Sequence, residues 1–255
     1  MKKIYHLNCV QIESPLGSAI GHCVLIEQDE QLTLIDTGIG MAETREPEKR
    51  LGKELVALTG FKFDENRTAV RQIERLGLNP KNVTDIICSH LDPDHIGGTA
   101  DFPQAKVHVS KEEYEAFNNG DERYLRHQLA HKPEMVLYEN NDSKWFDLPA
   151  RKLKVHNEVY LIPLFGHTLG HCGIAFENGG RWKFYIGDAY YLRAELTEAN
   201  HPVEQLATIR AVDNQMRIQS LDTIRNFIKN YGDTIDYFGY HDPAEFSESP
   251  WVEGN

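Results

Sequence analysis

Short apolar runs recur along the chain and predict buried β-strands. Residues 23–26 and 32–35 flank a polar turn at residues 28–30, which is typical of two paired strands. The sequence Glu177-Asn178-Gly179-Gly180 is typical of a hairpin turn between two further strands. Other strand-like runs lie at residues 85–88, 107–109, 159–164, 182–186 and 235–238.

Helical periodicity appears between several of these runs. Apolar residues recur at helical spacing from Asp64, an N-cap candidate, to a C-terminal stop at Gly77. Ser110 and Glu113 have the spacing of a capping box that opens a second helix. Residues 219–231 form an amphipathic helical pattern. Helices that alternate with strands indicate an α/β chain.

Two segments have no clear period. Residues 45–58 carry mixed charge and predict a helix or a lid. Residues 114–148 are polar, aromatic and irregular, which predicts a helical excursion that covers the fold, a wall of a substrate pocket, or both. The candidate pocket residues in this second segment are Tyr124, Arg126, His127, His131 and Trp145.

The six residues from His90 to His95 contain two imidazoles and two carboxylates. Imidazole and carboxylate together suit borderline to hard divalent ions, and an aspartate can bridge two of them. On a loop such closely spaced side chains can converge, whereas a strand or helix would direct them apart. The motif therefore predicts a metal site and favours one that holds two ions.

Three later segments place further candidate ligands after strand-like runs. His167 follows the run at 159–164, Asp188 follows 182–186, and His241 follows 235–238. Ligands at the ends of several strands can meet in one crevice at a sheet edge. Strands that alternate with helices and end in convergent ligands fit an αββα sandwich. Because the chain has no long linker, we expect a single domain over residues 1–255.

These motifs resemble the metallo-β-lactamase superfamily, whose pattern is His-x-His-x-Asp-His, a Gly-His-Thr-Pro-Gly-His-like turn, a Gly-Asp and a late His. Residues 34–38 also look like the N-terminal strand and turn of that family. The position of Tyr191, three residues after Asp188, and the late His241 are most similar to the N-acyl-homoserine-lactone lactonase branch. The resemblance implies the αββα fold and a metal-dependent hydrolase.

One residue departs from the family pattern, because Asp92 stands where the second His is usual. Carried over by position, the resemblance implies two ligand sets joined by a bridging aspartate: His90, Asp92 and His167; Asp94, His95 and His241; and Asp188 between them. The expected cofactors are two divalent ions, zinc, iron or manganese. A carboxylate at Asp92 shifts the preference of the first site toward iron or manganese. The alternative is a degenerate first site that binds metal poorly.

The resemblance also indicates roles for residues around the metals. Asp94 is a ligand that could orient the nucleophile or pass its proton to the leaving group. Tyr191 is a candidate donor to a developing oxyanion, and its alternative is a core tyrosine. Asp36 is expected to support the site through loop backbone or a ligand imidazole. His171 is expected to be structural rather than a ligand.

This chemistry favours hydrolysis of a small ester-like molecule, and the resemblance to the lactonase branch implies a lactone as the first choice. A pair of divalent ions lowers the pKa of a shared water, so hydroxide forms near neutral pH and attacks the substrate. Thioester hydrolysis of the glyoxalase-II kind and phosphodiester hydrolysis remain open, because the same hydroxide would serve. A non-hydrolytic iron-binding or redox protein is the alternative of a different class.

Composition narrows the expected partners and location. The net charge of −12 disfavours nucleic acid or an anionic membrane as the main partner and leaves a small-molecule substrate. Four scattered cysteines predict free thiols in a reducing cytoplasm. No signal peptide is expected, and no apolar run approaches the roughly 20 residues of a membrane span. The family resemblance allows a homodimer.

Overall fold

The apolar runs form the strands of two β-sheets in a computed structural model, which describes residues 2–14, 17–198, 201–246 and 252–254. The first sheet contains β1 (Lys2–Ser14), β2 (Gly17–Gln28), β3 (Gln31–Ile35), β4 (Phe61–Lys62), β5 (Val83–Ile87), β6 (Lys106–Ser110), β7 (Met135–Tyr138) and β14 (Val252–Gly254). The second contains β8 (Ser143–Trp145), β9 (Leu148–Lys152), β10 (Val159–Pro163), β11 (Cys172–Asn178), β12 (Arg181–Tyr185) and β13 (Ile235–Phe238).

Helices lie in the connections between these strands. They are α1 (Met41–Arg45), α2 (Pro47–Arg50), α3 (Lys53–Thr59), α4 (Ala69–Arg75), α5 (Pro93–Ile96), α6 (Lys111–Asn118), α7 (Val203–Arg210) and α8 (Asn214–Tyr231). No helix in the described ranges has the length and apolar character needed to cross a membrane.

Strand direction brings several strand ends to common edges. In the first sheet β3, β5, β6 and β7 are mutually parallel neighbours, so the carboxyl ends of β3 and β5 lie side by side. In the second sheet β10 and β12 are each antiparallel to β11, and β13 is parallel to β12. The carboxyl ends of β10, β12 and β13 therefore share one edge. In the sequence, a candidate ligand comes shortly after each of these strands.

One apolar core joins the two sheets, and a second covers the outer face of the second sheet. Side chains of the first sheet and of β10 and β11 belong to the first cluster. In the second cluster, Leu221, Ile224 and Phe227 of α8 pack against Phe184. Burying one such aromatic side chain stabilises the fold by about 1.5–3 kcal/mol. Helix on sheet and sheet on sheet give the αββα sandwich that the sequence predicted.

Most predicted elements are confirmed. The turn at 28–30 joins β2 and β3 in register, with Val24 opposite Ile35. The turn at 177–180 joins β11 and β12, and the predicted helix at 219–231 lies within α8. Asp64 caps a short 3-10 turn that leads into α4, whereas residues 45–58 form three short helices interrupted at Glu46 and Gly52. All four cysteines are buried free thiols.

The helical excursion expected at residues 114–148 forms only in the first half of the segment, where α6 ends and a 3-10 turn follows at Arg126–Leu129. Its second half supplies β7 beside β6 and β8 beside β9, so it extends both sheets at their edges. The apolar run of β7 is only four residues long and was hidden among polar neighbours. Trp145, at the end of β8, is buried in the second apolar cluster rather than in a pocket wall.

We predict that Gly166→Ala destabilises the fold far more than Gly180→Ala. Both glycines have positive φ, 124° and 82°, which strains any residue with a Cβ by about 1–3 kcal/mol. A Cβ at Gly166 would also lie 2.0 Å from the backbone nitrogen of Arg217, whereas nothing lies within 4 Å at Gly180. Overpacking adds about 1–3 kcal/mol to the loss in unfolding free energy. Urea denaturation of both variants measures the difference, and equal losses would contradict it.

Candidate metal centre

All seven predicted ligands lie together, at the carboxyl ends of the strands named above. Their ligand atoms form three overlapping groups, each with all members within 4.8 Å of one another: His90, His95 and Asp188; His90, Asp92 and His167; and Asp94, His95 and His241. Hydrogen bonds between backbone atoms connect the two sheets at this edge. The Cys172 amide donates to the Ser89 carbonyl at 2.9 Å, and the His22 amide donates to the Tyr240 carbonyl at 3.0 Å.

The motif from His90 to His95 combines an extended segment with one helical turn. Asp92 is extended, with φ −64° and ψ 150°, and Pro93 opens α5 at the first helical position. The amide of His95 donates to the Asp92 carbonyl at 2.9 Å, which closes the turn. Because the backbone switches from extended to helical after Asp92, Asp92 lies in one ligand group and Asp94 and His95 lie in another.

Asp36 orients two of the ligand imidazoles. Its Oδ2 accepts from His95 Nδ1 at 2.8 Å and from Ser89 Oγ at 2.6 Å, and its Oδ1 accepts from the Ser89 amide at 2.9 Å. Because the Ser89 hydroxyl donates to Asp36, it is free to accept from His90 Nδ1, which lies 3.0 Å away. Both rings then carry a proton on Nδ1 and turn Nε2 into the site. Asp36 thus has the supporting position that was expected of it.

Backbone carbonyls fix two further rings. His241 Nδ1 donates to the Ile20 carbonyl at 2.9 Å, which leaves Nε2 for the site. His171 Nδ1 donates to the Leu164 carbonyl at 3.0 Å, and its Nε2 accepts from the Asp188 amide at 3.0 Å. Burial lowers the pKa of His171 to about 3, so the ring is neutral and can accept. His171 therefore positions Asp188 and lies outside the three ligand groups.

The donor atoms of this site fit divalent metals. His90 Nε2, His95 Nε2 and Asp188 Oδ1 are buried polar atoms that make no hydrogen bond within the described chain. Such atoms are costly unless another partner satisfies them. Asp188 Oδ1 lies 3.4 Å from His95 Nε2, while Oδ2 lies 3.4 Å from His167 Nε2 and 3.3 Å from His241 Nε2. Atoms bound at about 2.1 Å to one tetrahedral ion are separated by about 3.4 Å.

The site balances several buried charges. Burial disfavours the Asp188 carboxylate, but His241 and His95 outweigh burial and hold its pKa well below the usual range. Burial also opposes a charged His95, yet Asp188 and Asp36 raise the pKa of that ring well above its usual value. A ring must lose its proton before it can bind a metal, so metal binding weakens as the pH falls.

Arg123 is the residue of the site that the sequence analysis missed. Its Nη2 donates to Asp92 Oδ2 at 2.6 Å and lies 2.7 Å from His167 Nε2. Burial disfavours the Asp92 carboxylate, but the Arg123 charge leads the contacts that hold its pKa well below the usual range. A buried carboxylate in place of an imidazole calls for a nearby cation. The sequence could have signalled that need but not which of its arginines meets it.

Tyr191 lies beside two ligand rings. Its ring centroid is 5.2 Å from that of His241 and 5.9 Å from that of His167. Burial, followed by the Asp188 charge, raises the pKa of Tyr191 well above its usual value, so the hydroxyl stays protonated. The neighbouring Tyr190 instead points its hydroxyl at Glu245, 2.8 Å away. The Tyr191 ring thus lies beside the ligand groups, and its hydroxyl keeps its proton.

Glu113 connects the two ligand loops from inside the fold. Its Oε1 accepts from the Leu91 amide and the Tyr124 hydroxyl, both at 2.9 Å, and its Oε2 accepts from the Gly170 amide at 3.1 Å. Only half of the predicted capping box forms: Ser110 Oγ accepts from the Glu113 amide at 3.2 Å, while the Glu113 carboxylate turns to the ligand loops. Tyr124 thus acts through Glu113, and Arg126, His127, His131 and Trp145 lie outside the ligand groups.

Comparison with known proteins finds relatives named as metallo-hydrolases and N-acyl homoserine lactonases. A probable metallo-hydrolase of Mycobacterium bovis is 36% identical over 201 residues, which cover 76% of this chain; the chain spans 64% of that relative's length. The N-acyl homoserine lactonase AiiA of Bacillus thuringiensis subsp. kurstaki is 24% identical over 259 residues, which cover 94% of this chain and 93% of the relative.

Solved structures show the same fold. An N-acyl homoserine lactone hydrolase, with the product N-hexanoyl-L-homoserine bound at its catalytic metal centre, superposes with a TM-score of 0.74 at 21% identity, covering 95% of this chain and 94% of the other. A family model, described as the metallo-beta-lactamase superfamily, matches residues 16–222. With that match over most of its length, the chain belongs to the metallo-beta-lactamase superfamily.

Proposed function

We propose that this chain is a hydrolase with a dinuclear metal centre that cleaves a small ester-like substrate, a lactone first of all. The observation that carries the proposal is that three buried atoms, on His90, His95 and Asp188, make no hydrogen bond within the described chain. These residues form one ligand group, and two further groups share His90 or His95 with it. The substrate class is supported by relatives named as N-acyl homoserine lactonases, one of them similar over almost the whole chain.

Seven residues would hold the two ions. In this assignment the first ion has His90, Asp92 and His167, the second has Asp94, His95 and His241, and Asp188 serves both, since its two oxygens face rings of both groups. When bound, two divalent ions would polarise the scissile carbonyl and lower the pKa of a water near it. The ions would be zinc, iron or manganese.

Two side chains supply protons and hydrogen bonds at the reaction centre. The ring of Tyr191 lies beside those of His167 and His241, and its protonated hydroxyl would donate to the oxygen on which negative charge develops. Asp94 is only partly buried, and its Oδ2 lies 3.8 Å from His241 Nε2. One of its oxygens remains able to orient the attacking water or pass a proton to the leaving oxygen.

The decisive experiment combines metal analysis of the purified protein with assays on a lactone, a thioester and a phosphodiester. We expect lactone turnover that rises with metal occupancy, disappears with a chelator and is lost in His90→Ala and Asp188→Ala. Faster turnover of the thioester or the phosphodiester would mean that this compound, and not the lactone, represents the substrate class. Bound metal without any turnover would favour a non-hydrolytic iron-binding or redox role and overturn the proposal.

We predict that Tyr191→Phe lowers kcat by about 100-fold, because one donor to the developing oxyanion is lost. Metal content should stay unchanged, since the phenol is not among the ligand groups. Tyr190→Phe is the matched control, because its hydroxyl bonds Glu245 outside the ligand groups. Steady-state kinetics on the best substrate decides, and equal rates for Tyr191→Phe and the parent protein would remove Tyr191 from the mechanism.

We predict that Asp36→Asn weakens metal binding by about 10–100-fold, because the partner of His95 Nδ1 is changed. Asparagine tolerates the positive φ of 52° at this position, so the backbone is preserved. Asp85→Asn is the control: Asp85 makes a carboxylate–imidazole contact of the same 2.8 Å length with His108, away from the ligands. Competition with a chromophoric chelator measures both affinities, and an equal effect of the two substitutions would contradict the prediction.

A further inference from the structure

The two halves of the metal centre differ in one respect. Arg123 donates through Nε and Nη2 to both oxygens of Asp92, and the same Nη2 lies 2.7 Å from His167 Nε2. Asp92 Oδ2 and His167 Nε2 are 3.4 Å apart and belong to the ligand group of His90, Asp92 and His167, which we call the first group; Asp94, His95 and His241 are the second. The guanidinium therefore contacts the lone pairs that a metal ion in this group would need.

A guanidinium cannot share the single lone pair of His167 Nε2 with a divalent ion, and at Asp92 the two cations would repel each other. Arginine stays protonated at any accessible pH and offers only donors, so His167 Nε2 must accept from it. A metal ion needs the same lone pair at about 2.0–2.1 Å. With the Arg123 side chain only 9% exposed, there is little water to screen repulsion between the two cations.

The second ligand group has no such competitor. Asp94, His95 and His241 contact Asp188, Asp36, the Ile20 carbonyl and the Tyr240 hydroxyl, and no arginine or lysine of the described chain pairs with any of the three. Arg210 also approaches the first group, with Nη2 3.5 Å from Asp92 Oδ2, and its carbonyl accepts from Arg123 Nη1. Positive side chains are thus concentrated at the first group.

We infer that Arg123 and the first metal ion are alternatives at Asp92 and His167, so the centre loads in two unequal steps. The second group, with Asp188, binds its ion tightly. The first group binds weakly, because Arg123 must withdraw from Asp92 before the ion can enter. The inference rests on the proposed metal centre and gives Asp92 a second role as the anchor of Arg123.

The test is metal loading of the metal-free protein, measured by equilibrium dialysis against buffered Zn²⁺ with metal analysis. We expect the parent protein to bind one equivalent tightly and a second at least tenfold more weakly. Arg123→Met, which keeps the length and removes the charge, should bind the second equivalent at least tenfold more tightly and leave the first unchanged. Arg126→Met is the control, because Arg126 bonds the Phe117 carbonyl instead.

Arg123→Lys keeps the proposal testable if Arg123→Met fails to fold, as thermal unfolding would show. Lysine retains the charge but cannot form the two parallel bonds to Asp92, so loading between those of the parent and the methionine variant is expected. Equal affinity for both equivalents in the parent protein, or an unchanged second equivalent in the variants, overturns the inference.

Metal loading separates this inference from the proposed function. Equal loading with lactone turnover overturns the role of Arg123 and leaves the hydrolase intact. Unequal loading that Arg123→Met corrects, without turnover of any substrate, supports the role of Arg123 and overturns the hydrolase. Absence of bound Zn²⁺ in every variant overturns both.

Discussion

The metal centre depends on one buried carboxylate, that of Asp36. It accepts from Ser89 and His95 after β5, and its Oδ2 also accepts from the Tyr185 hydroxyl at the end of β12, at 2.5 Å. One side chain therefore connects the first sheet, the metal-binding motif and the second sheet. Hydrogen bonds to a charged acceptor are roughly twice as strong as neutral ones, which suits a group that fixes the position of one sheet relative to the other. The ligand atoms can converge because these strand ends are fixed relative to each other.

Such convergence concentrates like charges, and the site compensates them pair by pair. Asp188 faces His95 and His241, and Asp92 faces Arg123. A buried charge without a partner would cost several kcal/mol. Asp94 is only partly buried, and its backbone carbonyl accepts from the Tyr240 hydroxyl at 2.6 Å. Of the three ligand carboxylates, the two most buried thus have the closest cationic partners.

The sequence indicated which candidate ligands would converge better than it indicated their surroundings. His90, Asp188 and His241 follow apolar strands, and strand ends are positions that a period in the sequence can indicate. Arg123 follows no such pattern, because it lies after α6 in an irregular turn and reaches Asp92 across 31 positions of sequence. Glu113 was assigned to a helix cap on correct local spacing. In the structure its carboxylate instead accepts from the amides of Leu91 and Gly170, which are distant in sequence, so local spacing could not predict these contacts.

The exchange of an imidazole for Asp92 has consequences beyond the choice of metal. A neutral ring at this position would leave no reason for a buried arginine, whereas a carboxylate requires a cation whether or not metal is present. Arg123 satisfies that requirement with two parallel hydrogen bonds, which hold Asp92 in one orientation. Without metal, the first ligand group is therefore ordered, and the buried Asp92 carboxylate still has a cationic partner. The same contacts oppose the entry of an ion, so order without metal and affinity for metal are in direct competition at Asp92.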